Sequence, residues 1–245
     1  MRFLSIMNEI NSLSPNDFHL IISLLLPSVG FILYWFISQD DKKKDWFFKS
    51  FKTPNAWVNW IVFKRLCGAL ILGIIPAIIA WLYLPFSFYD LGLNFNNIGL
   101  TLKWTLGIGL FMAIVNFFAT KHPKNLSMYP PMRINHWTNK ILFLNLFSWV
   151  AYLISYEFLF RGILLYTCNE YLGFWPAVVI NIAFYALAHI PKGFTETIGC
   201  FPYGFLLCYV TLLTGNLWFA IITHSILAVS TDIYSIFHSQ QMKWE

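Results

Sequence analysis

The chain has 245 residues, of which 58% are hydrophobic and 11% charged, with a formal net charge of +5. Soluble domains carry roughly 25% charged residues, so the composition excludes a soluble globular domain and points to an integral membrane protein of single-domain length. The positive charge is no nucleic-acid footprint, because the lysines cluster between apolar runs, as the positive-inside pattern of membrane loops requires.

The first residues lack the basic region, short apolar core and small-residue cleavage site of a secretory signal, so no segment is expected to be removed. A crossing needs about 20 apolar residues. By that measure spans are predicted at 18–38, 66–86, 99–119, 141–168, 174–190, 199–214 and 217–237. The fold class is then all-α, a multi-pass transmembrane helical bundle of about seven spans. Counting the two shortest runs differently gives six to eight. Pro27 and Pro76 lie inside spans and should kink them. Trp35, Trp60, Trp81, Trp137, Trp175 and Trp218 lie near proposed span ends, as an interfacial belt expects.

After the first span, Asp40–Lys52 mixes lysines with Trp46, Phe47, Phe48 and Phe51, the pattern of a short amphipathic helix on the inner leaflet. The first loop holds Lys42, Lys43, Lys44, Lys49, Lys52, Lys64 and Arg65. The third holds Lys121, Lys124, Arg133 and Lys140, whereas the loops around Asp90 and Glu170 hold no lysine or arginine. Seven crossings then put the N-terminus outside and the C-terminus in the cytoplasm. Cys67, Cys168, Cys200 and Cys208 show no CxxC spacing and read as small buried hydrophobes.

The fourth span carries Glu157 and Arg161. Each costs ~2.5–3.5 kcal/mol at a helix centre on insertion scales. Four residues apart, in the favoured order of acid before base, they can pair on one helix face. A structural ion pair and a catalytic site both fit. The fifth span adds Asn181, Tyr185 and His189 as one polar stripe, and the seventh adds His224, Ala228 and Asp232 at the same spacing. At 1.5 Å rise per residue, Glu157, His224 and His189 lie ~16, ~12 and ~22 Å below the outer ends of their spans. All three depths fall near the midplane of a ~30 Å core. A carboxylate and two imidazoles meeting there suit water activation, with an imidazole available as an oxyanion donor. Zinc held by His189, His224 and Glu157 is the alternative chemistry. No HExxH-type signature supports it, so no cofactor is expected.

Three segments carry a resemblance: Tyr156-Glu157-Phe158-Leu159-Phe160-Arg161-Gly162, Tyr185-Ala186-Leu187-Ala188-His189 and His224-Ser225-Ile226-Leu227-Ala228, the last after a Thr-Gly-x-Leu-Trp turn. In this order they resemble the CPBP family, also called Abi: CAAX prenyl proteases and bacteriocin-processing or self-immunity proteins. Its motifs read EExxxR, FxxxH and HxxxN. The resemblance covers roughly residues 141–234. It implies a CAAX-protease-like bundle around a conical cavity and an intramembrane, metal-independent, glutamate-type endopeptidase. Carried over by position, Glu157 is the base oriented by Arg161, His189 places the water and His224 holds the oxyanion. Tyr156 stands in place of the first glutamate, Tyr185 of the phenylalanine and Ala228 of the asparagine. Glu196, seven residues past His189, can replace the missing carboxylate if it folds back into the cavity. Otherwise it pairs with Lys192 at the surface. The seventh span's Asp232 can support the polar network or sit at the cytoplasmic interface.

The organisation implied is N-terminal spans with basic cytoplasmic loops over 1–140, a catalytic core over 141–237 and a cytoplasmic tail over 238–245. The partners expected are the bilayer of the cell membrane and a peptide or membrane-protein substrate, with no nucleic acid. A catalytically silent relative, acting as an immunity or binding scaffold, is the second functional expectation.

Overall fold

A computed structural model of the chain describes residues 13–245. The expectation that no segment is removed falls on residues 1–12, which lie outside the described residues. Among the described residues seven helices are long and apolar enough to cross a bilayer. The chain is a multi-pass membrane protein with an all-α bundle.

In chain order the elements are α1 (Pro15–Ser38), a short α2 (Asp41–Ser50) and α3 (Asn55–Tyr83). Then come α4 (Ile98–Ala119), a short α5 (Pro123–Met128) and α6 (Asn139–Leu172). The last three are α7 (Phe174–His189), extended by a 3₁₀ turn over Ile190–Lys192, α8 (Phe194–Thr214) and α9 (Trp218–His238). Local chemistry sets the boundaries. Ser14 and Asp17 form a reciprocal capping box at α1, and the Asp40 carboxylate accepts from the Lys43 backbone at α2. Thr138 caps α6, and Gly215, at φ 72°, takes the left-handed turn that ends α8.

Helix α3 begins at Asn55, well before the expected 66. Hydropathy breaks at Lys64 and Arg65, yet the helix runs straight through them. Arg65 is only 4% exposed, and Lys64 lies over the Trp60 ring at 5.5 Å. The sequence placed Arg65 in the first loop; it is a buried helical residue. Two of the expected interfacial tryptophans also move inward: Trp60 and Trp137 are buried, whereas Trp81 and Trp175 remain exposed.

Helices α3 and α6 each widen once into π-helical winding, at Leu70–Ile74 and Phe158–Leu164. The first of these precedes Pro76. A proline ring collides with the carbonyl four residues earlier, here that of Leu72, and the widened turn gives it room. The main core gathers Leu72, Leu159, Leu164 and Leu217 around the second widened segment. Glycines let backbones close on one another there. A Cβ on Gly73 would lie 2.3 Å from Ser155 Oγ, and one on Gly109 would lie 2.8 Å from Ile226 Cδ1.

A second core of Trp60, Ile61, Met132, Trp137, Ile236 and Met242 joins the start of α3, the α5–α6 connection and the chain end. There β1 (His136–Trp137) and β2 (Lys243–Trp244) pair in parallel. The first loop, third loop and C-terminal segment therefore share one side of the bundle, as an odd number of crossings demands.

Candidate active site

Where α6 widens, Phe158–Leu164 are buried throughout, so the turn that carries Arg161 is packed on every side. Asn181 of α7 pins this segment by donating from Nδ2 to the Phe160 carbonyl at 2.5 Å. Glu157 and Arg161 are both fully buried, with Arg161 Nη1 3.2 Å from Glu157 Oε2. The ion pair expected from the sequence is present. The guanidinium also lies over the Tyr185 ring, 4.5 Å from its centroid.

Helix α9 brings His224 to the same carboxylate. His224 Nδ1 lies 2.5 Å from Glu157 Oε1. A carboxylate only accepts, so with a neutral imidazole Nδ1 carries the proton and Nε2 is left as an acceptor. His189 reaches the same state by another route. Its Nδ1 lies 2.9 Å from the Tyr185 carbonyl, which can only accept, so its Nε2 is also left with a lone pair. Three aromatic rings stand edge-on to His224: Tyr156 at 5.8 Å, Tyr185 at 6.1 Å and Tyr203 at 6.2 Å. Tyr185 is also 4.5 Å from the His189 ring, so one ring packs against both imidazoles.

Both histidines line a cavity of about 790 Å³, together with Tyr156, Tyr185, Tyr203 and Ala228. Glu157 and Arg161 do not line it; they sit behind the wall that His224 and Tyr156 make. The carboxylate thus reaches the cavity only through His224. This differs from the sequence expectation of Glu157 as a base facing water, because the α6 face that points inward presents Tyr156 instead.

Toward its mouth the cavity is lined by Ser38 and Gln39 at the end of α1, Lys124 of α5 with Tyr129 just after it, Lys192 of the 3₁₀ turn and Glu196 in the first turn of α8. All lie in or beside the first, third and fifth connections, so the mouth opens on one side of the bundle. Glu196 folds in as far as the mouth, where its carboxylate accepts from the Tyr129 hydroxyl at 3.0 Å and lies 3.7 Å from Lys192 Nζ. Both sequence alternatives for Glu196 are therefore realised in part. Burial, and then the Glu196 charge, push the Tyr129 phenol above its ordinary range, so it remains a donor.

A second buried polar network was missed in the sequence. Asp232, expected mainly at an interface, is fully buried. It accepts from Asn145 Nδ2 at 2.9 Å and Trp149 Nε1 at 2.7 Å, and lies 3.6 Å from Arg65 Nη2. Arg65 stacks on Trp149 at 3.9 Å and donates to Asn145 Oδ1 and Ser148 Oγ. The signal was present: Asn145, Ser148 and Trp149 recur on one face of α6.

Among the described residues no three His, Cys, Asp or Glu side chains group as a metal site. Two of the donors considered for zinc, Glu157 and His224, are hydrogen-bonded to each other.

Residues 137–230 match the family model of the Rce1-like type II CAAX prenyl endopeptidases. Over this stretch the chain resembles a CAAX protease of the CPBP family. The matched residues run from β1 to α9 and include Glu157, Arg161, His189, Glu196 and His224. They are less than half of the chain, and α1 to α5 lie outside them. No curated protein and no solved structure matches the chain. The CPBP resemblance and the helical bundle together carry the CAAX-protease-like fold.

Proposed function

We propose that the chain is an intramembrane endopeptidase of the CPBP type that hydrolyses a peptide bond with histidine-activated water. The observation that carries this reading is the 2.5 Å contact of Glu157 with His224 Nδ1, on an imidazole that shares the cavity wall with His189. A carboxylate that orients an imidazole and stabilises its protonated form is a recurrent hydrolytic arrangement. The proton-accepting role therefore moves from Glu157 to His224.

In this mechanism Arg161 fixes Glu157, and Glu157 holds His224 in the tautomer with a free Nε2. His189 Nε2 accepts one hydrogen of the nucleophilic water and positions it. His224 Nε2 takes the other proton as the water oxygen bonds to the carbonyl carbon. When the C–N bond breaks, the same imidazolium returns its proton to the leaving amine. No cofactor enters the scheme. Glu196, engaged by Tyr129 and Lys192, is assigned to the mouth rather than to proton transfer.

The mouth lies on the side of the basic loops. With the N-terminus outside, as the lysine bias supports, peptide enters from the cytoplasm and is cut within the membrane-embedded cavity. Purified protein in nanodiscs, presented with a quenched fluorogenic peptide library, tests this directly. We expect Glu157→Gln and His189→Ala to lose at least ~10²-fold in turnover. Equal turnover by wild type and both variants overturns the reading.

The second reading is a silent scaffold acting in immunity or binding. It is favoured by Tyr156 and Ala228, which line the cavity where the family pattern carries polar catalytic groups. A cellular phenotype that survives Glu157→Gln supports this alternative.

A further inference from the structure

The departures from the CPBP pattern meet in space. Tyr156 belongs to α6, Tyr185 to α7 and Ala228 to α9, yet all three line the cavity around His224. The pattern loses one carboxylate and one carboxamide there. In exchange it gains two phenol hydroxyls, since Tyr156 replaces a glutamate and Tyr185 a phenylalanine. The two rings stand at 87° and 85° to the His224 imidazole, at 5.8 and 6.1 Å. Tyr156 is held by stacking on Phe160 at 4.4 Å. It is 3% exposed, and its hydroxyl has no hydrogen-bond partner among the described residues. A buried donor without a partner calls for an explanation in structural or functional terms. Tyr203, the third ring, is excluded from this role because its hydroxyl already donates to Thr223 Oγ1 at 3.3 Å.

We propose that Tyr156 and Tyr185 are catalytic residues that replace the missing asparagine, their phenol O–H groups donating to the oxygen of the scissile carbonyl as it becomes an oxyanion. The assignment rests on the hydrolase reading and frees His224 for proton transfer alone. Oxyanion formation puts negative charge on one oxygen in a water-poor site, where fixed neutral donors act without releasing a proton. An ammonium or guanidinium there would compete with Arg161 for Glu157, whereas a phenol leaves that pair intact.

The test compares wild type, Tyr156→Phe, Tyr185→Phe, the double variant and the double variant carrying Ala228→Asn. His224→Ala gives the background, and the probe is the quenched fluorogenic peptide library in nanodiscs. We expect kcat to fall about 10²-fold in the double variant with KM little changed, and Ala228→Asn to restore at least tenfold of that loss. Wild-type kcat in the double variant overturns the inference and leaves the hydrolase reading standing. A loss that Ala228→Asn does not repair also overturns it, since the hydroxyls then act on structure rather than on the oxyanion. A wild type no faster than His224→Ala overturns both.

Discussion

Glu157 answers to two partners at once, and the consequences separate cleanly. Toward Arg161 it is a countercharge in a fully buried pair; toward His224 it is an acceptor that sets a tautomer. Removing one member of a buried ion pair leaves the other uncompensated, at about 3–5 kcal/mol, whereas replacing both by apolar groups of similar volume is often neutral. We therefore expect Glu157→Gln to lower the thermal midpoint of the detergent-solubilised protein. Glu157→Gln combined with Arg161→Met should recover most of that midpoint and none of the turnover. A double variant as unstable as the single would mean that Arg161 acts mainly through its stacking on Tyr185. At this scale the sequence was informative about which polar residues lie inside the bundle and less so about which way they face. The burial of Glu157, His189 and His224 was legible from their place inside apolar spans. That Tyr156 rather than Glu157 borders the cavity was not, because neighbouring residues point ~100° apart on a helix and spacing alone leaves open which of them faces inward.

A glycine in the first widened turn explains how α3 and α6 come so close. Helix α3 meets α6 at Gly73, where any side chain would collide with Ser155, including its Cα at 3.1 Å. Contact with backbone cannot be relieved by a rotamer change. Gly107 on α4 has nothing within 4 Å of its would-be Cβ. Overpacking typically costs about 1–3 kcal/mol. We expect Gly73→Leu to lower the thermal midpoint and turnover together and Gly107→Leu to change neither, measured by thermal unfolding in detergent and by peptide cleavage. Equal midpoints for the two variants would show that α3 and α6 can part without cost. Element order and type were readable because long apolar runs leave few alternatives in lipid. The start of α3 was not, because hydropathy cannot tell an exposed Arg65 from one paired with Asp232 on a helix more than 160 residues away.

At the level of the whole molecule, two buried charged networks stand along one cavity. Glu157, Arg161 and His224 form the inner one, and Arg65, Asp232 and Asn145 form the other. Between them α9 spans eight residues, from His224 to Asp232, or ~12 Å of helix, so both lie within the thickness of the bundle. Charged groups survive at such depth because each has its partner and because the cavity wall, not lipid, faces them. The mouth, the lysine-rich first and third loops and the β1–β2 pair all lie on one side, which makes the proposed orientation testable with few residues. Starting from a chain with Cys67, Cys168, Cys200 and Cys208 replaced by Ala, single cysteines at Lys124 and at Asp90 report opposite sides. A membrane-impermeant maleimide should label Asp90→Cys in intact cells and Lys124→Cys only after lysis. Labelling of Lys124→Cys in intact cells would turn the molecule over and open the cavity to the exterior. The cleavable peptide would then have to arrive from outside, where the excess of lysine near the mouth runs against the charge bias of membrane loops.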